Sequence, residues 1–327
     1  MYYLYILVKA NKGVFTDGCA NVNLRSLIRF VVNVVANLFR NVTRKVKPVR
    51  MVNVKELHRM PQILLKPFKL FSVIAATLFS LVSVNVLGAE HEDSDIGLNV
   101  KLGYDRAVGK YGQTMNSTAS TSSVTTTYDA ENYSFDLLIP YLEQSGPGRR
   151  ISISGQRPIV IFGPDQRASG LGDVTAGLTR YVLNEEDHSI DLDLGAIFKF
   201  HTASADKGLG SGKSDLAIQS TLSRSFGDFN SSVTIGYTFV GKPPDQNYRN
   251  AYYTSLDGSY KLFKSVSAGL TYSAGGSIIN NLPGTRDVTA YINFKPSKKF
   301  KLDFYYLVGR TNQSPDHSAG ITIAYDF

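Results

Sequence analysis

Two aspartates placed two residues apart are the first candidates for chemistry in this sequence. In the segment SIDLDLGAIFKFHT, Asp191 and Asp193 would lie on the same face of a β-strand, about 7 Å apart. Such a pair could bind a cation or supply an acid and a base for catalysis. A strand that lines an aqueous lumen carries charges at the same spacing without either role, and we favour this second interpretation.

Histidine is the other residue type that could support catalysis. After residue 89 the chain contains only His91, His188, His201 and His317. Nucleophilic hydrolysis needs a histidine within hydrogen-bonding reach of the nucleophile and a third group that orients the imidazole. His317, beside Ser318, is the best-placed candidate, but no partner is evident. We therefore predict no catalytic residues and no enzyme, with a hydrolase as the alternative.

Two glycine-rich motifs could suggest ligand sites. GLGSGK (208–213) lacks the full spacing of a phosphate-binding loop and is flanked by predicted strands on both sides, so we expect a loop without a ligand. GLGD (170–173) is expected to be a turn and not a calcium site. The sequence thus predicts no cofactor and no metal.

The net charge of +8 is distributed unevenly along the chain. Residues 1–89 contain 13 Lys and Arg but 2 Asp and Glu, so the remainder contains 22 basic and 25 acidic residues. Because this remainder is slightly acidic and has no basic stripe, nucleic acid is not an expected partner.

The N-terminal quarter has the pattern of a targeting segment. Lys66 and Lys69 precede the uncharged residues 70–84, and the small residues Gly88 and Ala89 come just before an acidic stretch. We predict a signal peptide at 60–89; a transmembrane anchor is the alternative, although the apolar run is shorter than the roughly 20 residues that span a bilayer. Residues 1–59 are expected to be a wrongly assigned start or a disordered extension, or else a true extension with an amphipathic helix.

Alternation of apolar and polar residues dominates from residue 90 onward. Ile190, Leu192 and Leu194 alternate with aspartates, and similar segments recur to the end of the chain. Only a β-strand places successive side chains on opposite faces. A soluble sandwich would alternate too, but the polar face here carries too many charges for a dry core. We therefore predict an all-β fold, a transmembrane antiparallel β-barrel of about twelve strands spanning 90–327.

The predicted strands are separated by connections that are alternately long and short. This pattern is typical of outer-membrane barrels, with short turns in the periplasm and long loops outside. The serine- and threonine-rich residues 116–127 are expected to be a flexible external loop, with an adhesive contact as the alternative. The predicted strands are 95–107, 131–143, 150–162, 171–184, 188–202, 213–226, 230–241, 249–263, 265–278, 285–295, 299–311 and 316–327.

The polar face of these strands would line the lumen. Its mixed charges and hydroxyl groups predict a pathway for small solutes with weak ion selectivity. The pore-lining candidates are Asp191, Asp193, Lys199, Asp215, Asp257, Lys261, Asp287, Tyr291, Lys301, Asp303 and Tyr305.

The alternation continues to the terminal Phe327. A barrel in lipid must join its last strand to its first, because an open edge would leave backbone groups unsatisfied. We expect Phe327 to act as the signal for the outer-membrane assembly machinery, with membrane lipids and a small-molecule solute as the other partners.

The segment from GLGD (170–173) through HTASADKGLGSGKSD (201–215) to SFG (225–227) and GYTFVG (236–241) resembles the outer-membrane family linked to the meta-pathway of phenol degradation. The resemblance implies a bacterial outer-membrane barrel that transports small molecules, with aromatic or hydrophobic compounds as candidates. The loop after Phe200 departs from the family pattern, so no ligand residue is transferred. The alternatives are an outer-membrane lipid hydrolase, with His317 at the outer rim where lipid would arrive, and a structural or adhesive barrel without transport.

Overall fold

The computed structural model describes residues 97–163, 167–244 and 246–327. The predicted extension (1–59) and signal peptide (60–89) lie outside these residues. The described elements are β1 (Gly97–Gly109), β2 (Ser117–Ala130), β3 (Tyr133–Ser145), β4 (Gly148–Ile151), β5 (Ile159–Phe162), β6 (Ala168–Leu171), β7 (Thr175–Leu183), α1 (Glu185–His188), β8 (Asp191–Lys199), β9 (Asp215–Phe226), β10 (Phe229–Phe239), β11 (Ala251–Phe263), β12 (Val266–Gly275), β13 (Arg286–Phe294), β14 (Phe300–Gly309) and β15 (His317–Asp326).

Antiparallel pairing closes these strands into a barrel. β1 pairs with β2 on one side and with β15 on the other, in a register that runs from Asn99 opposite Asp326 to Val108 opposite His317. The backbone N–H of Phe327 donates a further hydrogen bond to the Leu98 carbonyl, at 3.0 Å. The last strand therefore meets the first, and no wall strand is left with an open edge. This confirms the predicted all-β transmembrane barrel.

Two short strands, β6 and β7, form one position in the wall because both pair with β3. The wall thus contains twelve positions, in agreement with the sequence. Between β6 and β7 the ladder is interrupted opposite Pro140, which has no N–H to donate. The N–H of Gly172 still donates to the Pro140 carbonyl at 2.9 Å, and the next residue, Asp173, is fully buried.

The two faces of the wall differ as the alternation predicts. Large apolar side chains such as Leu194, Phe198, Ile218 and Leu270 are exposed on the outer face, where lipid would contact them. The alternate positions carry mostly small, hydroxyl or charged side chains and face the lumen. No described helix is long and apolar enough to cross a bilayer.

One predicted loop is a strand. Residues 116–127 were expected to be flexible and external, but residues Ser117–Ala130 form β2, which pairs along its whole length with β1 and β3. The error came from treating serine and threonine as loop residues. Threonine is β-branched and suits a pleated strand, and the hydroxyl groups are compatible with an aqueous lumen.

One predicted wall strand is not in the wall. Residues 150–162 were expected to cross the membrane, but they contribute to a separate two-stranded sheet formed by β4 and β5. We call residues 148–162 the inner hairpin. It alternates like a wall strand because one of its faces is also apolar, but that face packs inside the barrel and not against lipid.

The remaining connections follow the expected asymmetry. The turns after β2, β9 and β11 each consist of two residues between adjoining strands, whereas the connections at the opposite end, such as 200–214 and 240–250, are longer. We place the short turns in the periplasm and the long connections outside. The inner hairpin belongs to the long connection between β3 and β6, so it enters the lumen from the outer end.

Candidate functional site

The inner hairpin is fastened to the wall at its base. The side-chain amide of Gln144 donates to the Arg150 carbonyl at 2.8 Å, and its oxygen accepts from the Arg150 N–H at 2.7 Å. The N–H of Gly148 donates to the Ser117 hydroxyl at 2.7 Å, and the N–H of Val160 donates to the Gln313 side chain at 2.9 Å. These contacts involve β2, β3 and the connection before β15.

The tip of the inner hairpin reaches the opposite part of the wall. The Thr238 hydroxyl donates to the Ser154 carbonyl at 2.9 Å, and the Gln156 amide donates to the Thr238 oxygen at 3.1 Å. Gly155 adopts a φ of 67° beside Tyr253, and a Cβ at Gly155 would overlap the Tyr253 hydroxyl. The hairpin therefore crosses the lumen, because its base contacts β2 and β3 while its tip contacts β10 and β11.

An apolar cluster holds the middle of the hairpin. Ile151 and Ile159 are almost completely buried, and residues of the outer connections close over this face. Tyr248 in one of these connections is also buried, and this burial raises the pKa of its phenol to about 12, so it stays neutral. The cluster consists of Ile151, Ile153, Ile159, Val240, Tyr248, Ala251 and Ile278.

A buried ion cluster lies on the other side of the hairpin. Lys199 Nζ lies 3.1 Å from an oxygen of Asp173 and 3.0 Å from an oxygen of Asp215, and at most 1% of each of these side chains is exposed. The same Nζ donates to the Ser152 carbonyl of the hairpin at 3.1 Å and to the Ser211 hydroxyl at 3.0 Å. We call Lys199, Asp173 and Asp215 the Lys199 cluster.

The Lys199 cluster also orders two outer connections. The second oxygen of Asp173 accepts the Ala203 N–H at 3.0 Å, and that of Asp215 accepts the Gly241 N–H at 2.9 Å. Leu209 is buried against Leu142 on the inner face of β3, so the connection that contains GLGSGK also folds inward. GLGSGK lies between two strands, as expected, whereas GLGD is not a simple turn: its first two residues end β6 and its last, Asp173, belongs to the cluster.

Two arginines of the inner hairpin face wall aspartates. Arg150 lies 3.7 Å from Asp105, and Arg157 Nε lies 3.7 Å from Asp287, whose side chain is 1% exposed. Arg157 Nη2 also donates to the Thr289 hydroxyl at 3.1 Å. A cavity of about 20 Å³ lies between both arginines and Asp287, which is enough for one water molecule.

A larger cavity of about 330 Å³ lies beside the hairpin tip. We call it the polar cavity, because its lining side chains are hydroxyl, amide and guanidinium groups with one alanine. This volume falls at the lower end of the range, about 300–1,000 Å³, that binds small molecules. Its lining comprises Gly155, Gln156, Arg157, Gln219, Thr234, Tyr253, Thr254, Ser255, Ser273, Ala274, Gly275 and Thr285.

A carboxylate network lies below the polar cavity, toward the periplasm. The Tyr291 hydroxyl donates to one oxygen of Asp257 at 2.8 Å, and the Thr271 hydroxyl donates to the other at 2.6 Å. Asp257 follows the cavity residue Ser255 by one inward position on β11. The predicted residues Asp257 and Tyr291 are thus brought together, although they lie on different strands.

All of the predicted pore-lining residues lie on the strand face opposite the exposed apolar side chains. Lys199, Asp215 and Asp287 are nevertheless only 1% exposed, because the hairpin and the outer connections cover them. Lys301 and Asp303 form a partly exposed ion pair at 3.3 Å. Asp191, Asp193, Lys261 and Tyr305 also lie on this inner face, and Asp191 accepts the Glu185 N–H at 2.6 Å.

The sequence did not identify the residues of the hairpin tip. Gln156, Arg157 and Tyr253 were not singled out, because residues 150–162 were assigned to the wall. The polar run GQRP between two alternating isoleucine segments is a signal that could have shown a turn there.

The histidines do not form a complete catalytic site among the described residues. His317 starts β15 at the outer rim and is exposed, and its imidazole hydrogen-bonds to no described residue. His201 lies 2.9 Å from the Ser214 hydroxyl, but no acid among the described residues contacts the imidazole. No described group of histidine, cysteine, aspartate and glutamate side chains has the geometry of a metal site.

A closed barrel with an apolar outer face and a charged lumen defines the class: a β-barrel of the bacterial outer membrane. The model of the family described as "Putative MetA-pathway of phenol degradation" matches residues 100–327, so the chain belongs to this family. No curated protein matches the sequence.

One solved outer-membrane channel is similar in fold, and other solved outer-membrane proteins match with lower scores. An outer membrane channel from Pseudomonas putida F1 matches with a TM-score of 0.56 at 14% identity, covering 73% of this chain and 97% of that one. The porin NanC matches with a TM-score of 0.46 at 10% identity, covering 70% and 98%. The toluene transporter TodX of Pseudomonas putida matches with a TM-score of 0.38 at 12% identity, covering 72% and 91%.

Proposed function

We propose that this protein is an outer-membrane channel for the passive passage of small molecules. The observation that carries the proposal is the inner hairpin, which crosses the lumen of a closed barrel and leaves a polar cavity of about 330 Å³ beside its tip. A barrel that served only as a scaffold would not need a charged inner face combined with a cavity beside the hairpin that crosses its lumen. The hairpin selects solutes by size, and the pathway runs past its tip.

The family description points to aromatic compounds, and the inner face points to those that form hydrogen bonds. The cavity lining presents hydroxyl and amide groups, and Asp257 with its two hydroxyl donors follows directly below. Among the predicted pore-lining residues, the exposed and partly exposed ones contact the solute, while Lys199, Asp215 and Asp287 hold the hairpin. Both signs of charge are present, so ion selectivity is weak.

Membrane lipids and the assembly machinery are the proposed partners of the outer face and the C-terminal strand. Phe327 lies at the end of β15, where its N–H is bonded to β1 and its ring packs 4.9 Å from that of Tyr325. Tyr325 is exposed and Phe327 is partly exposed, and this aromatic pair at the seam would be available for recognition before the barrel closes.

Planar-bilayer recordings of the refolded chain from Glu90 test the proposal. We expect discrete conductance steps, and larger steps when residues 148–162 are replaced by a short glycine-serine linker. Reversing the charge of Asp257 or Lys261 should change the conductance. A correctly folded barrel that gives no steps in either form would contradict the channel, and hydrolysis of phospholipid that is lost in H201A or S214A would establish the enzyme instead.

A further inference from the structure

The polar cavity combines a cation with uncharged hydrogen-bonding groups. Its lining contains Arg157 but no aspartate or glutamate, and its one aliphatic residue, Ala274, occupies an outward position of β12 beside Tyr272. A hydrocarbon would leave these polar groups without partners, and an organic cation would meet the guanidinium group. The lining therefore favours a ligand that accepts hydrogen bonds and carries negative charge.

One edge of the Arg157 guanidinium group has no partner among the described residues. Nε faces Asp287 and Nη2 donates to Thr289, whereas Nη1 hydrogen-bonds to no described residue. The side chain is 38% exposed, so a ligand can reach it. A planar guanidinium group can bind a second carboxylate through a free edge while Asp287 holds the first.

The opposite side of the cavity adds a second donor. The Tyr253 hydroxyl donates to the side-chain oxygen of Gln219 at 2.9 Å, which leaves the Gln219 amide nitrogen without a described acceptor. Both oxygens of Asp257, the next carboxylate down the wall, already accept hydroxyl donors. These hydrogen bonds partly compensate the negative charge of Asp257, which lies further along the proposed pathway.

Glycines shape the space between these groups. A Cβ at Gly155 on the hairpin or at Gly236 on β10 would overlap the Tyr253 ring. The absence of a side chain at both positions lets the ring lie between the hairpin and the wall, where it forms one side of the cavity. A flat molecule of the size of one substituted ring can stack or pack there.

We propose that the polar cavity is a binding site for small carboxylates, including aromatic acids with one ring, and that Arg157 is the residue that binds the carboxylate. This inference rests on the proposed channel function, because it names the class of solute that would bind in the polar cavity during passage through the channel. Tyr253 and Gln219 position the remainder of the ligand.

A fluorine NMR titration tests the site without requiring transport. 4-Fluorobenzoate is added to the refolded chain in micelles, and 4-fluorobenzylamine serves as a cation of the same size. We expect saturable binding of the benzoate that is at least about tenfold tighter than that of the amine. R157Q should weaken benzoate binding by about tenfold or more, the loss expected for one hydrogen bond between charged groups.

R150Q is the matched control variant. Arg150 lies on the same hairpin and faces a wall aspartate at the same distance of 3.7 Å, but it does not line the polar cavity. It should change benzoate binding by less than about threefold, because its guanidinium group lies outside the polar cavity. The proposal is overturned if the natural protein does not bind benzoate saturably, if the amine binds equally well, or if R157Q has no larger effect than R150Q.

These experiments distinguish failure of the proposed carboxylate site from failure of the proposed channel. A barrel that binds benzoate through Arg157 but conducts no ions would retain the site and refute the channel. A conducting barrel with no Arg157-dependent binding would retain the channel and refute the site.

Discussion

Replacing Lys199 by methionine should destabilise the barrel more than any exposed charge change. The substitution leaves Asp173 and Asp215 facing each other in a site where their side chains are fully buried. Removing one partner of a buried ion pair costs about 3–5 kcal/mol, because the remaining charge is left without compensation. The Ser152 carbonyl and the Ser211 hydroxyl also lose a donor. We therefore expect K199M to lower the free energy of unfolding by about 3–5 kcal/mol.

Two further variants isolate the cause. K301M removes a lysine whose ion pair with Asp303 is partly exposed, so it should cost less than about 1 kcal/mol. The triple variant K199M/D173N/D215N removes the buried charges together and keeps oxygens that can accept the Ala203 and Gly241 N–H groups, so it should recover most of the loss. Urea titration in liposomes, followed by heat-modifiable gel mobility, measures all three. Equal stability of K199M and K301M, or no recovery in the triple variant, would refute the reasoning.

Three other predictions concern the inner hairpin and the seam. G155A should displace the tip, because its Cβ would overlap Tyr253 at a φ of 67°, and the single-channel conductance should change; G163A, where a Cβ meets no atom within 4 Å, should leave it unchanged. I151A should cost about 2–5 kcal/mol by opening a cavity in the apolar cluster, measured by the same urea titration. F327A should reduce the amount of heat-modifiable barrel in outer membranes, and unaltered assembly would contradict a recognition role.

The wall could be predicted from the sequence because lipid imposes one rule on every strand. An apolar outer face forces a period of two, as at Leu192 and Leu194, and closure forces it to continue to Phe327. β2 was not predicted because serine and threonine occupy most positions on both of its faces, so the sequence shows no clear alternation of apolar and polar residues there. The count of twelve was correct only because the hairpin was counted in place of β2.

The inner hairpin could not be separated from the wall by periodicity. Ile151 and Ile153 alternate with polar residues in the same way as wall residues do, and the pattern does not show whether lipid or protein covers the apolar face. The Lys199 cluster could not be predicted for a different reason. Asp173 reaches Lys199 through an irregularity between β6 and β7, and such an irregularity depends on pairing with Pro140 in a strand distant in sequence.

Thiol modification tests most directly that solute passes the hairpin tip. The chain from Glu90 has no cysteine, so a single introduced thiol reports one position. Ser273 lines the polar cavity, whereas Ser220 lies on the outer face, between Ile218 and Leu222. We predict that a charged methanethiosulfonate reagent lowers the single-channel current of S273C in one step and leaves that of S220C unchanged. An unchanged current in the modified S273C channel would contradict the pathway past the inner hairpin.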